Sequence, residues 1–158
     1  MDARLKLIGN PTAAALMKPM ISIHRALTAT SLPDSVQQLV ALRASQINGC
    51  GVCVDMHTKE ALHAGDTTTR LTMVAAWREA TVFTEAERAA LELTEQGTRV
   101  ADAAGGVSDE VWRNAAKHYD EEQLTALVFL IAMINTANRL NVITRQPAGG
   151  YQPGQLSA

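Results

Sequence analysis

The chain has 158 residues, 47% of them hydrophobic but only 4% aromatic, and its 14 basic and 16 acidic side chains leave a net charge of -2. A chain of this length buries roughly two thirds of its unfolded surface and needs no disulfide scaffold, and an alanine-rich, aromatic-poor composition favours close-packed helices over a β-sandwich. The balanced charge offers no basic face for nucleic acid, Asp2, Arg4, Lys6 and Lys18 interrupt any leader-like segment, and no stretch approaches the ~20 apolar residues of a membrane span, so a soluble, cytoplasmic, all-α protein without nucleic-acid or membrane partners is expected.

Residues 1–32 read as an N-terminal helical segment. Asp34 and Gln37 have capping-box spacing ahead of Leu39, Val40, Leu42 and Ala44, which predicts a helix over 34–48 ending at Asn48-Gly49. A second helix begins near Gly51 and runs through Val54, Ala61 and Leu62 to the Ala64-Gly65-Asp66 break. Thr84 with Glu87 caps the run Ala89 to Leu93, and Gly105-Gly106 breaks it. Ser108 caps a short segment through Trp112. Asp120 with Gln123 caps the longest apolar run, Leu124 to Val142, whose apolar residues cover most faces and predict a central buried helix. Residues 33–147 form the expected core; the tail 148–158 reads as an extended or disordered arm, and Tyr151 and Leu156 could dock on a neighbouring subunit.

Cys50, Cys53 and His57 carry the chemistry. Spaced three and four apart at a helix start, they share one face within an arc of ~60°. The two sulfurs are close enough to join, the unpaired amides of the first turn favour thiolate, and His57 can take or return a proton beside Cys53. Two other readings stay open: buried, inert cysteines, or a zinc site completed by His63 on the same helix, although structural zinc sites usually draw ligands from two segments. His24 and His118 show no partner pattern. Met17, Met20, Met56, Met73 and Met133 read as core filler, Trp77 and Trp112 as packing anchors, and the Arg78-Glu79 and Glu85-Glu87-Arg88 charges as a solvated face, with engagement of Glu87 in its cap as the alternative for that residue.

The stretch LVALRASQINGCGVCVDMHTKEAL, Leu39 to Leu62, resembles the core of the AhpD-like alkylhydroperoxidase branch of the carboxymuconolactone decarboxylase-like family. AAWREATVFTEAERAALELTE, HYDEEQLTALVFLIAMIN and NRLNVITRQP follow in the family's order, so the likeness spans about Pro33 to Pro147. The resemblance implies a helical subunit that assembles into a dimer, trimer or trimer of dimers. It also implies a dithiol peroxidase or disulfide reductase without a bound cofactor, acting on small organic hydroperoxides or disulfides. Cys53 is then the attacking thiol and Cys50 the resolving one, with the disulfide reduced by an external dithiol such as a lipoyl-bearing protein. The residues alone point the other way on one matter: Cys50, nearest the helix N-terminus, should be the more acidic and the more exposed.

Three positions depart from the family pattern. Gln38 stands where a relay glutamate is expected, twelve residues before Cys50; it can orient His57 but carries no proton. Val52 replaces a histidine found between the cysteines of some members, and Ala137 replaces a tryptophan before the NRLN block. Weak peroxidase activity is therefore expected. Two alternatives remain: a non-catalytic redox sensor or assembly protein, and the lactone-acid decarboxylation that names the wider family and needs no dithiol.

Overall fold

An α-helix leaves its first four amides unpaired, and in this chain polar side chains take up several of them. Asn10 accepts from the Ala13 amide at the start of α1 (Pro11–Thr28). Complete capping boxes open α5 (Glu85–Thr98), through Thr84 and Glu87, and α7 (Glu121–Thr144), through Asp120 and Gln123. Ser108 caps the short α6 (Asp109–Ala115) as its spacing predicts. Between these lie α2 (Asp34–Asn48), α3 (Gly51–His63) and α4 (Thr68–Met73), the last continuing into a 3-10 turn at Val74–Ala76. The computed structural model describes residues 2–103 and 105–155, and among them there is no strand.

One expected box does not form. Pro33 occupies the capping position of α2, Asp34 is already its first helical residue, and the Gln37 side chain is turned inward. Its amide nitrogen donates to the Leu27 and Leu32 carbonyls at 3.3 and 2.9 Å, satisfying backbone in the last turn of α1 and in the connection to α2 instead of reaching back to its own helix.

The central helix is α2, not α7. It packs against α3, α5 and α7 and feeds two cores. Val36 and Val40 join Leu27, Leu32, Leu93, Val111, Leu127 and Ile131 on one side, while Leu39 and Leu42 join Leu71, Val74, Trp77, Phe83 and Leu91 on the other. Truncating Leu39 or Leu42 to alanine in such a setting costs roughly 2–5 kcal/mol. α7 buries Leu127, Leu130, Ile131 and Ile134 but leaves Val128, Phe129, Val142 and Ile143 in solvent, Phe129 at 57% of its surface. By length and composition it is the one described helix apolar enough to cross a membrane, contrary to the reading of the sequence. It packs along one face against α1, α2, α3 and α5 and carries the row Asn135, Asn138 and Asn141.

Several side chains differ from expectation. Trp77 is buried and donates through Nε1 to Glu95 at 2.9 Å, but Trp112 is 43% exposed and anchors no core. Of the charges read as a solvated face, Glu79 and Glu85 are exposed, but Glu87 accepts from Arg70 at 2.6 Å within its capping box, and Arg88 donates to the Trp77 and Ala80 carbonyls. Arg78 and Arg43 both pair with the buried Glu95. Burial pushes the Glu95 carboxyl up, but hydrogen bonds from Arg78, Trp77 and Arg43 outweigh it and hold the group below its usual range.

Candidate active site

The turn between α2 and α3 places the cysteines. Gly49 ends α2 in the left-handed conformation (φ 67°), which favours glycine because any other residue would set a Cβ against backbone there. The Cys50 amide then bonds back to the Ser45 carbonyl at 3.0 Å, closing α2 with a Schellman turn. Cys50 is thus drawn into the elbow as the N-cap of α3, and Cys53 sits in the first turn. The two are joined as a disulfide, with Cα atoms 5.4 Å apart. Both are buried, each 1% exposed, so the expectation of a more exposed Cys50 is not met: the turn that positions it also covers it.

His57 lies one turn beyond Cys53 and is buried. Its Nδ1 is 2.9 Å from Gln38 Oε1, which reaches over from α2. With that oxygen as acceptor, Nδ1 carries the hydrogen and Nε2 keeps the lone pair. Burial, reinforced by the nearby His24 and opposed by Glu60, holds the imidazole down at about 4. At neutral pH His57 is therefore an uncharged acceptor. His24, expected to be an isolated histidine, is brought from α1 to this group, and burial lowers its pKa as well, against Glu60. His63 is exposed at the end of α3, apart from the cysteines, and among the described residues no three His, Cys, Asp or Glu side chains stand close enough to hold a metal ion.

Two further groups close on the site from α7 and the tail. Asn141 Nδ2 donates to Cys53 Sγ at 3.3 Å. Residues 148–155 do not form a free arm: they lie back along α3. Lys59 Nζ donates to the Gly149 and Tyr151 carbonyls at 3.1 and 2.9 Å, Asp55 accepts from the Gly149 amide, and Glu60 accepts from the Tyr151 hydroxyl and from the Gly154 amide. Ala148 Cβ lies 3.5 Å from where a Cβ on Gly51 would stand. Tyr151 is thus held by its own chain, and Leu156 lies outside the described residues. A cleft of about 450 Å³ is bordered by Asp34, Gln38, Ala61, Arg70 and Glu87. No local pattern could have revealed His24 or the tail, whereas Asn141 lies in the NRLN block but carries there no hint of contact with sulfur.

The described residues thus form an all-helical bundle that presents a CxxC disulfide at a helix start, with a histidine one turn on. The comparisons place it more narrowly. Residues 14–96 match the model of the carboxymuconolactone decarboxylase family. The uncharacterized Bacillus subtilis protein YdfG is 37% identical over 126 residues, spanning 80% of this chain and 84% of that protein. A crystal structure from Agrobacterium tumefaciens, of a protein of unknown function suggested to be the antioxidant defence protein AhpD, superposes with a TM-score of 0.84 at 30% identity, covering 95% of this chain and all of the other. An uncharacterized peroxidase-related protein from Ralstonia eutropha with the alkylhydroperoxidase AhpD core gives 0.74 at 17% identity, over 87% of this chain and 72% of that one, a likeness of fold alone. The chain belongs to the carboxymuconolactone decarboxylase family and has the AhpD-like fold.

Proposed function

We propose that the protein is a thiol-dependent peroxidase that reduces small organic hydroperoxides through Cys50 and Cys53. The observation that carries this reading is the pair itself, joined at the start of α3 with His57 one turn away. In the reduced protein, the Cys53 thiolate attacks the distal peroxide oxygen. An S–O bond forms, the O–O bond breaks, and the alkoxide leaves as an alcohol after taking a proton. The Cys50 sulfur then displaces hydroxide from the sulfenic acid, which departs as water while the disulfide forms. Two thiols and one hydroperoxide become one disulfide, one alcohol and one water. An external dithiol, with a lipoyl group as the chemical type, exchanges with the disulfide and restores both thiols.

His57, neutral with a free Nε2, accepts the thiol proton in this scheme and returns it to the leaving oxygen. Gln38 fixes the ring through Nδ1 but supplies no charge to stabilise the imidazolium, so proton transfer is slow. A reducing cytoplasm would keep the dithiol ready, and assembly through the exposed apolar face of α7 is consistent with an oligomer. The low basicity of His57 favours one second reading, a sensor that oxidises once and is not recycled quickly. Hydroperoxide consumed in excess dihydrolipoamide separates the two: many equivalents per chain support the peroxidase, and a single equivalent supports the sensor.

A further inference from the structure

We propose that Asn141 is a catalytic residue that donates a hydrogen bond to the Cys53 thiolate and thereby makes Cys53, not Cys50, the attacking sulfur. This deepens the peroxidase reading and rests on it. Among the described residues, Cys53 Sγ is the one of the two sulfurs that receives a side-chain hydrogen bond, from Asn141 Nδ2 at 3.3 Å. Cys50, although it caps α3, accepts no amide through its sulfur. Beyond the unpaired amides of the first turn of α3, a buried thiolate meets no fixed positive charge here. His57 is uncharged, and Asp55 and Lys59 on the same helix pair with each other at 2.8 Å and with the tail. A sulfur in such a place, 1% exposed, would be held as a thiol by desolvation unless a donor were aimed at it.

The donor is aimed by a buried polar seam. Asn138, one turn before Asn141 on α7, donates to Ser45 Oγ at 3.0 Å, and Asn48 Nδ2 donates to the side-chain oxygens of Asn138 and Asn135, each at 2.9 Å. Asn135 in turn donates to Thr98 Oγ1 at 3.1 Å. These bonds lock the register of α7 against the end of α2, the segment from which Gly49 turns the chain into the CxxC. A slip of α7 by one residue would carry Asn141 about 100° around the helix and away from the sulfur.

The test is thiolate absorbance against pH in Cys50→Ser protein, with Asn141 native, replaced by Ala, or replaced by Asp. A lost hydrogen bond to a charged acceptor should raise the Cys53 pKa by about one to two pH units in Asn141→Ala, leaving 10- to 100-fold less thiolate below the pKa. Asn141→Asp keeps the shape and replaces the donor by a carboxylate, so it should raise the pKa further. An unchanged Cys53 pKa in both folded variants overturns the proposal, as does a lower pKa for Cys50 in Cys53→Ser than for Cys53 in Cys50→Ser. The titration needs no peroxide. Inertness of Cys53 toward hydroperoxide with the pKa rise intact therefore refutes the peroxidase reading and upholds the donor role.

Discussion

Replacing Gln38 by glutamate puts a carboxylate 2.9 Å from His57 Nδ1, where an amide now stands. An opposite charge at that range favours the protonated imidazole by about 1–3 pH units, which would carry His57 from about 4 toward the interval between roughly 5 and 7. At 1.36 kcal/mol per unit, this is about 1–4 kcal/mol of added stability for the imidazolium formed when Cys53 loses its proton. A general base tuned to working pH typically contributes 10²- to 10⁴-fold, and part of that is recovered when the pKa moves part of the way. Gln38→Glu should therefore raise the rate of thiol oxidation by a hydroperoxide at pH 7 by at least about tenfold, followed by stopped flow, while an NMR titration of the His57 ring reports its pKa. Gln38→Leu, which leaves Nδ1 without its partner, should slow the reaction. If the His57 pKa rises and the rate does not, the relay reasoning is wrong and Gln38 has no part in proton transfer.

Stability should depend on pH through the same histidine. His57 is depressed in the folded chain from 6.5 to about 4, so the unfolded chain takes up its proton first as the pH falls. The contribution is complete above about pH 6.5 and erodes toward pH 4, by about 3 kcal/mol, and urea unfolding of His57→Gln should show a flatter profile over that window. Deleting residues 148–158, which removes the segment fastened to Asp55, Lys59 and Glu60, should speed reduction of the disulfide by dihydrolipoamide several-fold with little loss of melting temperature. An unchanged rate would mean that the tail does not govern access.

Local signals were legible in the sequence and long-range ones were not. The boxes at Thr84 and Asp120, the Ser108 cap and the Asn48-Gly49 stop each involve residues within one turn, and each is where its spacing placed it. The Asp34 box failed because Gln37 had a competing use, the Leu27 and Leu32 carbonyls before α2, which no local pattern encodes. CxxCxxxH geometry was likewise local, whereas Asn141 and Glu60 with the tail meet across 88 and 94 positions of chain. The apolar run of α7 was read as wholly buried because composition does not distinguish a face packed in the core from one left open, and Phe129 and Ile143 lie on the open side.

The central claim is that Cys53 attacks a hydroperoxide and Cys50 resolves it. Reduced protein should be mixed with one equivalent of an organic hydroperoxide and its thiols counted, beside Cys50→Ser and Cys53→Ser. The account predicts loss of both thiols with one alcohol formed, a trapped sulfenic acid in Cys50→Ser, and no fast reaction in Cys53→Ser. Thiols that survive the peroxide, or a sulfenic acid that forms at Cys50 when Cys53 is absent and at the native rate, would contradict it.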